Sequence, residues 1–262
     1  MTPEMARERR EQMLRDGYCV IPDILNPEFL RELGQESDRL NDTMEHHPDT
    51  KYQGTHIDVF YQENSIMQRL AEWQPARQAL EQMGFDDFTS SKQLLILTKE
   101  PYAPALYWHQ DWGQWNDPLS CTPWPQKIFL SYYLEDTSLE NGCFQVIPGT
   151  HLKRIPLHDQ LVTAHEQGAR FIEESHPIMF SHHPDQVDVL TKAGSLVLGD
   201  ARVLHAARKN QTAQRRNLLL LWHSRPKTVP DYWEGETPWL FVEGDLEIAY
   251  PASRIPGQYL PA

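Results

Sequence analysis

The sequence predicts a mainly β fold, an antiparallel barrel or two-sheet jelly roll buttressed by N-terminal helices. Two observations carry that expectation. Helix start signals are confined to the first third of the chain. From Ser91 onward, short strand-like runs alternate with Gly, Pro, Asn and Asp punctuation. At 262 residues and 40% hydrophobic, the chain suits a single domain, 1–262, with a sizeable core.

In chain order, Thr2-Pro3-Glu4 reads as an N-cap, a proline at the first helical position and an early acid, and Gly17 stops that helix. Tyr18–Ile21 is a short apolar strand. Asn26-Pro27-Glu28 repeats the cap signature, with Phe29, Leu30, Leu33 and Leu40 at roughly helical spacing. His46 to Gly54 is polar, contains Pro48 and reads as a loop. A third helix is expected from about Glu63 to Met83, broken near Pro75. The strand-like runs are Gln93–Thr98, Lys127–Leu134, Cys143–Ile147, Val187–Thr191, Ser195–Leu198 and Asn217–His223. Asn141-Gly142 is a turn signal. The long, polar stretch of about 150–186 suits a lid over a site.

Charge narrows the partners. With 24 Lys and Arg against 37 Asp and Glu, the formal charge is −13, which repels phosphate backbones and anionic membranes. The expected partner is a small molecule, with no nucleic acid and no membrane. Oligomeric state is not legible. Cys19, Cys121 and Cys143 are odd in number and form no C-x-x-C pair, so reduced thiols are expected and not a zinc ribbon or disulfide framework. The first ten residues lack a signal-peptide-like apolar stretch, and no apolar run is long enough to span a bilayer, so a cytoplasmic protein is expected.

The chemistry concentrates in Tyr107-Trp108-His109-Gln110-Asp111-Trp112. On a strand, residues i and i+2 share a face, so His109 and Asp111 would present an imidazole and a carboxylate to one point. One more histidine would complete a facial triad of two His and one carboxylate, which holds Fe(II) with open positions. Alone, His-x-Asp is a weak signal in a chain with 12 histidines. Tyr107, Trp108, Trp112 and Trp115 nearby suit either a walled pocket or plain core, and Trp115 is the candidate substrate wall. The second informative stretch runs from Gly194 to His205, followed by Asn210, Thr212 and Arg215-Arg216 before an apolar strand. An arginine at a strand start can hold a carboxylate with a two-pronged hydrogen bond.

These motifs together resemble the phytanoyl-CoA dioxygenase family, a branch of the Fe(II)/2-oxoglutarate-dependent oxygenases that includes ectoine hydroxylase. The resemblance rests on Tyr107–Trp112, on Asn141-Gly142 through Pro148-Gly149-Thr150-His151, and on His205 with Asn210. Arg216, eleven positions after His205, and the opening Asp16–Pro22 complete it. It spans about residues 16–223. It implies a double-stranded β-helix, a cupin-like jelly roll with N-terminal helices packed on one sheet. Iron would sit on His109, Asp111 and His205, and the distal carboxylate of 2-oxoglutarate on Arg216. Gln93 resembles a pocket glutamine of the ectoine branch, and Ser131 falls near a co-substrate position. The implied reaction is hydroxylation of an unactivated C–H bond with O2, releasing succinate and CO2. Asp111 disfavours halogenation, since related halogenases lack that carboxylate. Ala207 departs from the family, where Ser is common. In relatives the segment ending at His151 is structural, while His46-His47 and His182-His183 read as solvated loop doublets. The competing expectations are a silent ligand-binding protein of the same fold, and a Zn or Mn hydrolase or isomerase that has no need of Arg216.

Overall fold

The computed structural model describes residues 1–112, 124–161 and 171–225. Helix α1 (Pro3–Asp16) is capped by Thr2, whose hydroxyl accepts from Met5 N at 3.3 Å, and ends at Gly17 with φ 83°. After β1 (Tyr18–Ile21), helix α2 (Pro27–Thr43) starts on Asn26, whose side chain accepts from Phe29 N at 2.8 Å. The expected third helix is two. The chain turns at Glu72-Trp73 between α4 (Ser65–Ala71) and α5 (Gln74–Gln82), just ahead of Pro75. A proline fits the first turn of a helix, where no N–H is needed, so the break precedes it. Two elements were not foreseen. The loop ending at Gly54 contains a helical turn, α3 (Thr50–Gln53), and β2 (Thr55–Phe60) follows directly.

The remaining strands are β3 (Thr89–Lys99), β4 (Leu106–His109), β5 (Lys127–Tyr133), β6 (Phe144–Val146), β7 (Val187–Val189), β8 (Leu196–Asp200), β9 (His205–Ala207) and β10 (Arg216–Ser224). They form a six-stranded sheet, β1-β8-β5-β10-β3-β2, and a four-stranded sheet, β4-β9-β6-β7, with antiparallel neighbours. This is the jelly roll the sequence predicts.

Side-chain alternation on the large sheet separates scaffold from site. Leu94, Ile96, Leu130, Leu198, Leu219 and Leu221 face outward and bury against Phe29, Leu33, Met67 and Leu80 of the helices. Each fully buried Leu or Phe is worth about 1.5–3 kcal/mol, so this layer anchors the sheet. The opposite residues of the same strands, Lys99, Arg216, Leu218, Leu220, Phe129 and Ser131 among them, line a cavity of about 460 Å³ between the sheets. Among the described residues no helix is long and apolar enough to cross a membrane.

The described parts of the expected lid do not line this cavity. Ile155, Leu157, Leu161 and Ile178 pack with Trp108, Ile147 and Leu204, and Met179 packs on Tyr107. They cover the outer side of the small sheet because its short strands present apolar groups there.

Candidate active site

His109 ends β4 directly opposite His205 at the start of β9, and their rings lie 4.1 Å apart between centroids. A register shift between Leu106 and His109 inserts an extra residue, so both face the cavity although three positions separate them. His109 and Asp111 do present an imidazole and a carboxylate to one point, as expected, but not as neighbours on one strand, because β4 ends at His109. Tyr107 points away from the cavity, and Asp111 lies beyond the strand, where its N–H donates to Ala201 O at 2.8 Å. Trp108 likewise belongs to the outer core and donates to Ser181 O, so neither residue walls the pocket.

Asp111 Oδ1 lies 3.7 Å from His109 Nε2, and Asp111 Oδ2 lies 3.8 Å from His205 Nε2. Cis ligands on an ion with bonds of about 2.1 Å lie roughly 3 Å apart, so a modest contraction closes the three donors on one ion. The other ring nitrogens are engaged. His109 Nδ1 faces Tyr107 O at 2.8 Å and His205 Nδ1 faces Val203 O at 3.0 Å. With Nδ1–H donating to a carbonyl, each ring keeps its Nε2 lone pair for a metal. Trp222 Nε1 donates to Asp111 Oδ2 at 3.2 Å and orients the carboxylate. Phe129 and Phe144 flank the His205 ring at 5.2 and 5.6 Å. Two imidazoles and a carboxylate with their outer atoms held fit a divalent transition-metal ion that keeps open positions.

Arg216 lies on the same cavity face, 3% exposed. Its Nη2 donates to Gly142 O at 2.8 Å, while Nε and Nη1 have no hydrogen-bond partner among the described residues. A buried guanidinium with two unmet N–H groups fits a carboxylate ligand, since an uncompensated buried charge is strongly unfavourable. Burial pushes the Arg216 pKa down, opposed by Tyr133, Glu135 and Cys143. Arg215 faces the other way and pairs with Glu100, Asp38 and Asp42. Ser131 lines the cavity beside Leu220. Gln93 has the inward parity of Leu95 and Leu97 but is exposed beyond them, opposite Phe60 at the sheet edge, so it lies outside the lining. Trp115 lies outside the described residues.

The structure adds residues that the motifs did not single out. Lys99 is buried in the cavity wall, directly opposite Arg216 in register. His47, expected to be solvated, lines the cavity with His56, and its Nδ1 lies 2.7 Å from the fully buried Asp49. The outward signal for Lys99 was its place on the same alternating face as Leu95 and Leu97. His151 is structural, its Nε2 meeting Leu14 O of α1 at 3.0 Å.

Comparison with known proteins agrees with this geometry. The family model "Phytanoyl-CoA dioxygenase (PhyH)" matches residues 13–218. The ectoine dioxygenase of Nocardia farcinica is 22% identical over 255 residues, covering 90% of this chain and 83% of that protein. The crystal structure of the non-heme alpha ketoglutarate dependent epimerase SnoN from nogalamycin biosynthesis superposes with a TM-score of 0.64 at 19% identity, covering 89% of this chain and 93% of SnoN. EctD from S. alaskensis, solved with 2-oxoglutarate and 5-hydroxyectoine, superposes with a TM-score of 0.61 at 19% identity, covering 86% of this chain and 76% of EctD. The chain therefore belongs to the phytanoyl-CoA dioxygenase family of Fe(II)/2-oxoglutarate-dependent dioxygenases.

Proposed function

We propose that this protein hydroxylates an unactivated C–H bond of a small-molecule substrate, with Fe(II) on His109, Asp111 and His205 and the distal carboxylate of 2-oxoglutarate on Arg216. The observation that carries this reading is the joint presence, in one cavity, of a His-Asp-His donor cluster and a buried guanidinium with two unmet N–H groups. The hydroxylated product named with EctD supports the choice of hydroxylation.

When bound, the iron, 2-oxoglutarate and O2 supply the oxidising power, and the balanced reaction yields succinate, CO2 and a hydroxylated product. The chain's own residues bind and orient. The carbonyls of Tyr107 and Val203 hold the two imidazoles in one tautomer. The Trp222 indole N–H fixes one oxygen of Asp111. Arg216 orients the co-substrate from the far end through a two-pronged contact, and Ser131 adds a hydroxyl on the same wall. Leu95, Leu97, Leu106, Leu218 and Leu220 exclude water from the reacting centre. Asp111 occupies a ligand position that a halide would otherwise need, which favours hydroxylation over halogenation.

The test is a panel of small molecules offered with Fe(II), 2-oxoglutarate and O2, scored for succinate and for product mass. Hydroxylation requires succinate in step with a product heavier by one oxygen atom. A product of unchanged mass indicates epimerisation and refutes the hydroxylase reading. A chain that binds metal and 2-oxoglutarate but never releases succinate is a silent binding protein.

A further inference from the structure

We propose that His47, Asp49 and His56 form a second metal site, for a divalent ion such as Zn(II), at the edge of the same cavity. The inference goes beyond the proposed function and does not rest on it, since it uses no residue of the iron site or of the 2-oxoglutarate anchor. Among the described residues two clusters bring three such donors within 4.8 Å of one another, and this is the one the family pattern does not account for. Local chain geometry builds it. Asp49 precedes α3, and Gly54 ends that helical turn with φ 97°, a conformation that suits glycine. A Cβ there would lie 3.1 Å from Thr98 O, so the turn into β2 favours a residue without one. The chain doubles back, and β2 brings His56 beside Asp49, with the His47 and His56 rings 5.7 Å apart between centroids. Pairing with β3 sets His56 opposite Leu97, on the cavity face.

The donor atoms are aimed at one another. Asp49 Oδ1 lies 2.7 Å from His47 Nδ1 and 3.9 Å from His56 Nδ1. These spacings bracket the roughly 3.4 Å between donors on a tetrahedral ion with bonds of about 2.0–2.1 Å. Asp49 Oδ2 accepts from Gln53 Nε2 at 2.8 Å, which fixes the carboxylate with Oδ1 toward the rings, as an outer contact does for a metal ligand. Asp49 is fully buried, and a carboxylate so deep is paired or binds a cation. One protonated imidazole would suffice for pairing, yet two turn Nδ1 to the same oxygen. His47 Nδ1 also accepts from Asp49 N at 3.4 Å, a contact that needs a lone pair on that nitrogen. A lone pair 2.7 Å from a carboxylate oxygen is repulsive unless a cation lies between them. His47 and His56 line the cavity and Asp49 backs them, so the fourth position of the ion opens to the cavity and can take an oxygen donor of a bound small molecule. Two imidazoles and one carboxylate suit Zn(II).

The plain alternative is a buried carboxylate held by imidazole hydrogen bonds alone. The two differ in metal stoichiometry. The experiment is equilibrium dialysis of the full chain against buffered Zn(II), with bound metal counted per chain and the fold of each variant checked by circular dichroism. Wild type should bind two equivalents. His205→Ala should lose one and keep the other. His47→Ala and His56→Ala should each lose the equivalent that His205→Ala keeps, and either one combined with His205→Ala should bind none. His47 is exposed, so its truncation removes a donor without opening the core. Wild type that binds no Zn(II), or only the equivalent that His205→Ala removes, overturns the inference. So does a second equivalent that survives in both His47→Ala and His56→Ala, which marks an adventitious ion only. Wild type that binds one equivalent, kept in His205→Ala and lost in His47→Ala, supports the inference and contradicts the iron site instead.

Discussion

Replacing Arg216 by Met should separate co-substrate binding from folding. The native guanidinium leaves Nε and Nη1 without a hydrogen-bond partner among the described residues, open to a ligand. A hydrogen bond to a charged group is worth about 1.5–3 kcal/mol, so losing two amounts to about 3–6 kcal/mol, or a Kd weakened by roughly 10²-fold or more. The empty protein should not be destabilised in proportion. The variant gives up the Gly142 bond but also removes a buried charge beside Lys99, and these effects oppose one another. Thermal unfolding of Mn(II)-loaded protein reads both effects. With 2-oxoglutarate at 100 times the wild-type Kd, linkage gives about 2.7 kcal/mol, which for a domain of this size is a rise in Tm of roughly 5–10 °C. In the variant, with binding 10²-fold weaker, the same concentration gives about 0.4 kcal/mol, or about 1 °C. Equal ligand-induced shifts in the two proteins would refute the assignment. So would an unliganded variant several kcal/mol less stable than wild type, since Arg216 would then be a structural residue.

Three further outcomes follow from the same geometry. Trp222→Phe keeps the ring but removes the N–H that Asp111 Oδ2 accepts, and should weaken Co(II) binding roughly 10- to 100-fold in an equilibrium titration; unchanged affinity would show that the indole does not orient the carboxylate. Gly199→Ala would drive a Cβ into the Phe129 ring, which packs on His205, and should lower stability by about 1–3 kcal/mol in urea while also weakening metal binding. Burial holds His158 and His223 down to about 4 against an unfolded value of 6.5. Between these values the unfolded chain binds more protons, so stability should fall as pH drops from about 6.5 toward 4, by up to about 3 kcal/mol per histidine. His158→Gln should flatten that slope in urea titrations, and an unchanged slope would count against the buried neutral ring.

How far the sequence carried the structure depends on the range of the forces involved. Caps such as Thr2-Pro3 and Asn26-Pro27 are local, so both helix starts were legible to the residue. The donor set was legible because His109, Asp111 and His205 match a family pattern. The reason they converge was not, because a bulge in β4 and the Ala201 carbonyl, ninety positions away in sequence, decide where Asp111 points. Strand β2 escaped notice because Thr55, His56 and Asp58 dilute its apolar alternation; its partner β3 supplies the pairing that the residues alone do not advertise. Lys99 was not singled out, because nothing local in the sequence shows that β10 places Arg216 opposite it. Gln93 was singled out by the resemblance alone; it shares the parity of Leu95 and Leu97, but parity says nothing of depth, and Gln93 is exposed and outside the cavity lining.

The most direct test of the central claim is anaerobic titration of Fe(II)-loaded protein with 2-oxoglutarate, watched for the visible metal-to-ligand charge-transfer band. The expected result is a band that saturates at one equivalent of 2-oxoglutarate per chain in wild type and is missing in His205→Ala. Fe(II)-loaded wild type that develops no such band, or a His205→Ala protein that develops it in full, would contradict an iron site built from His109, Asp111 and His205 beside Arg216.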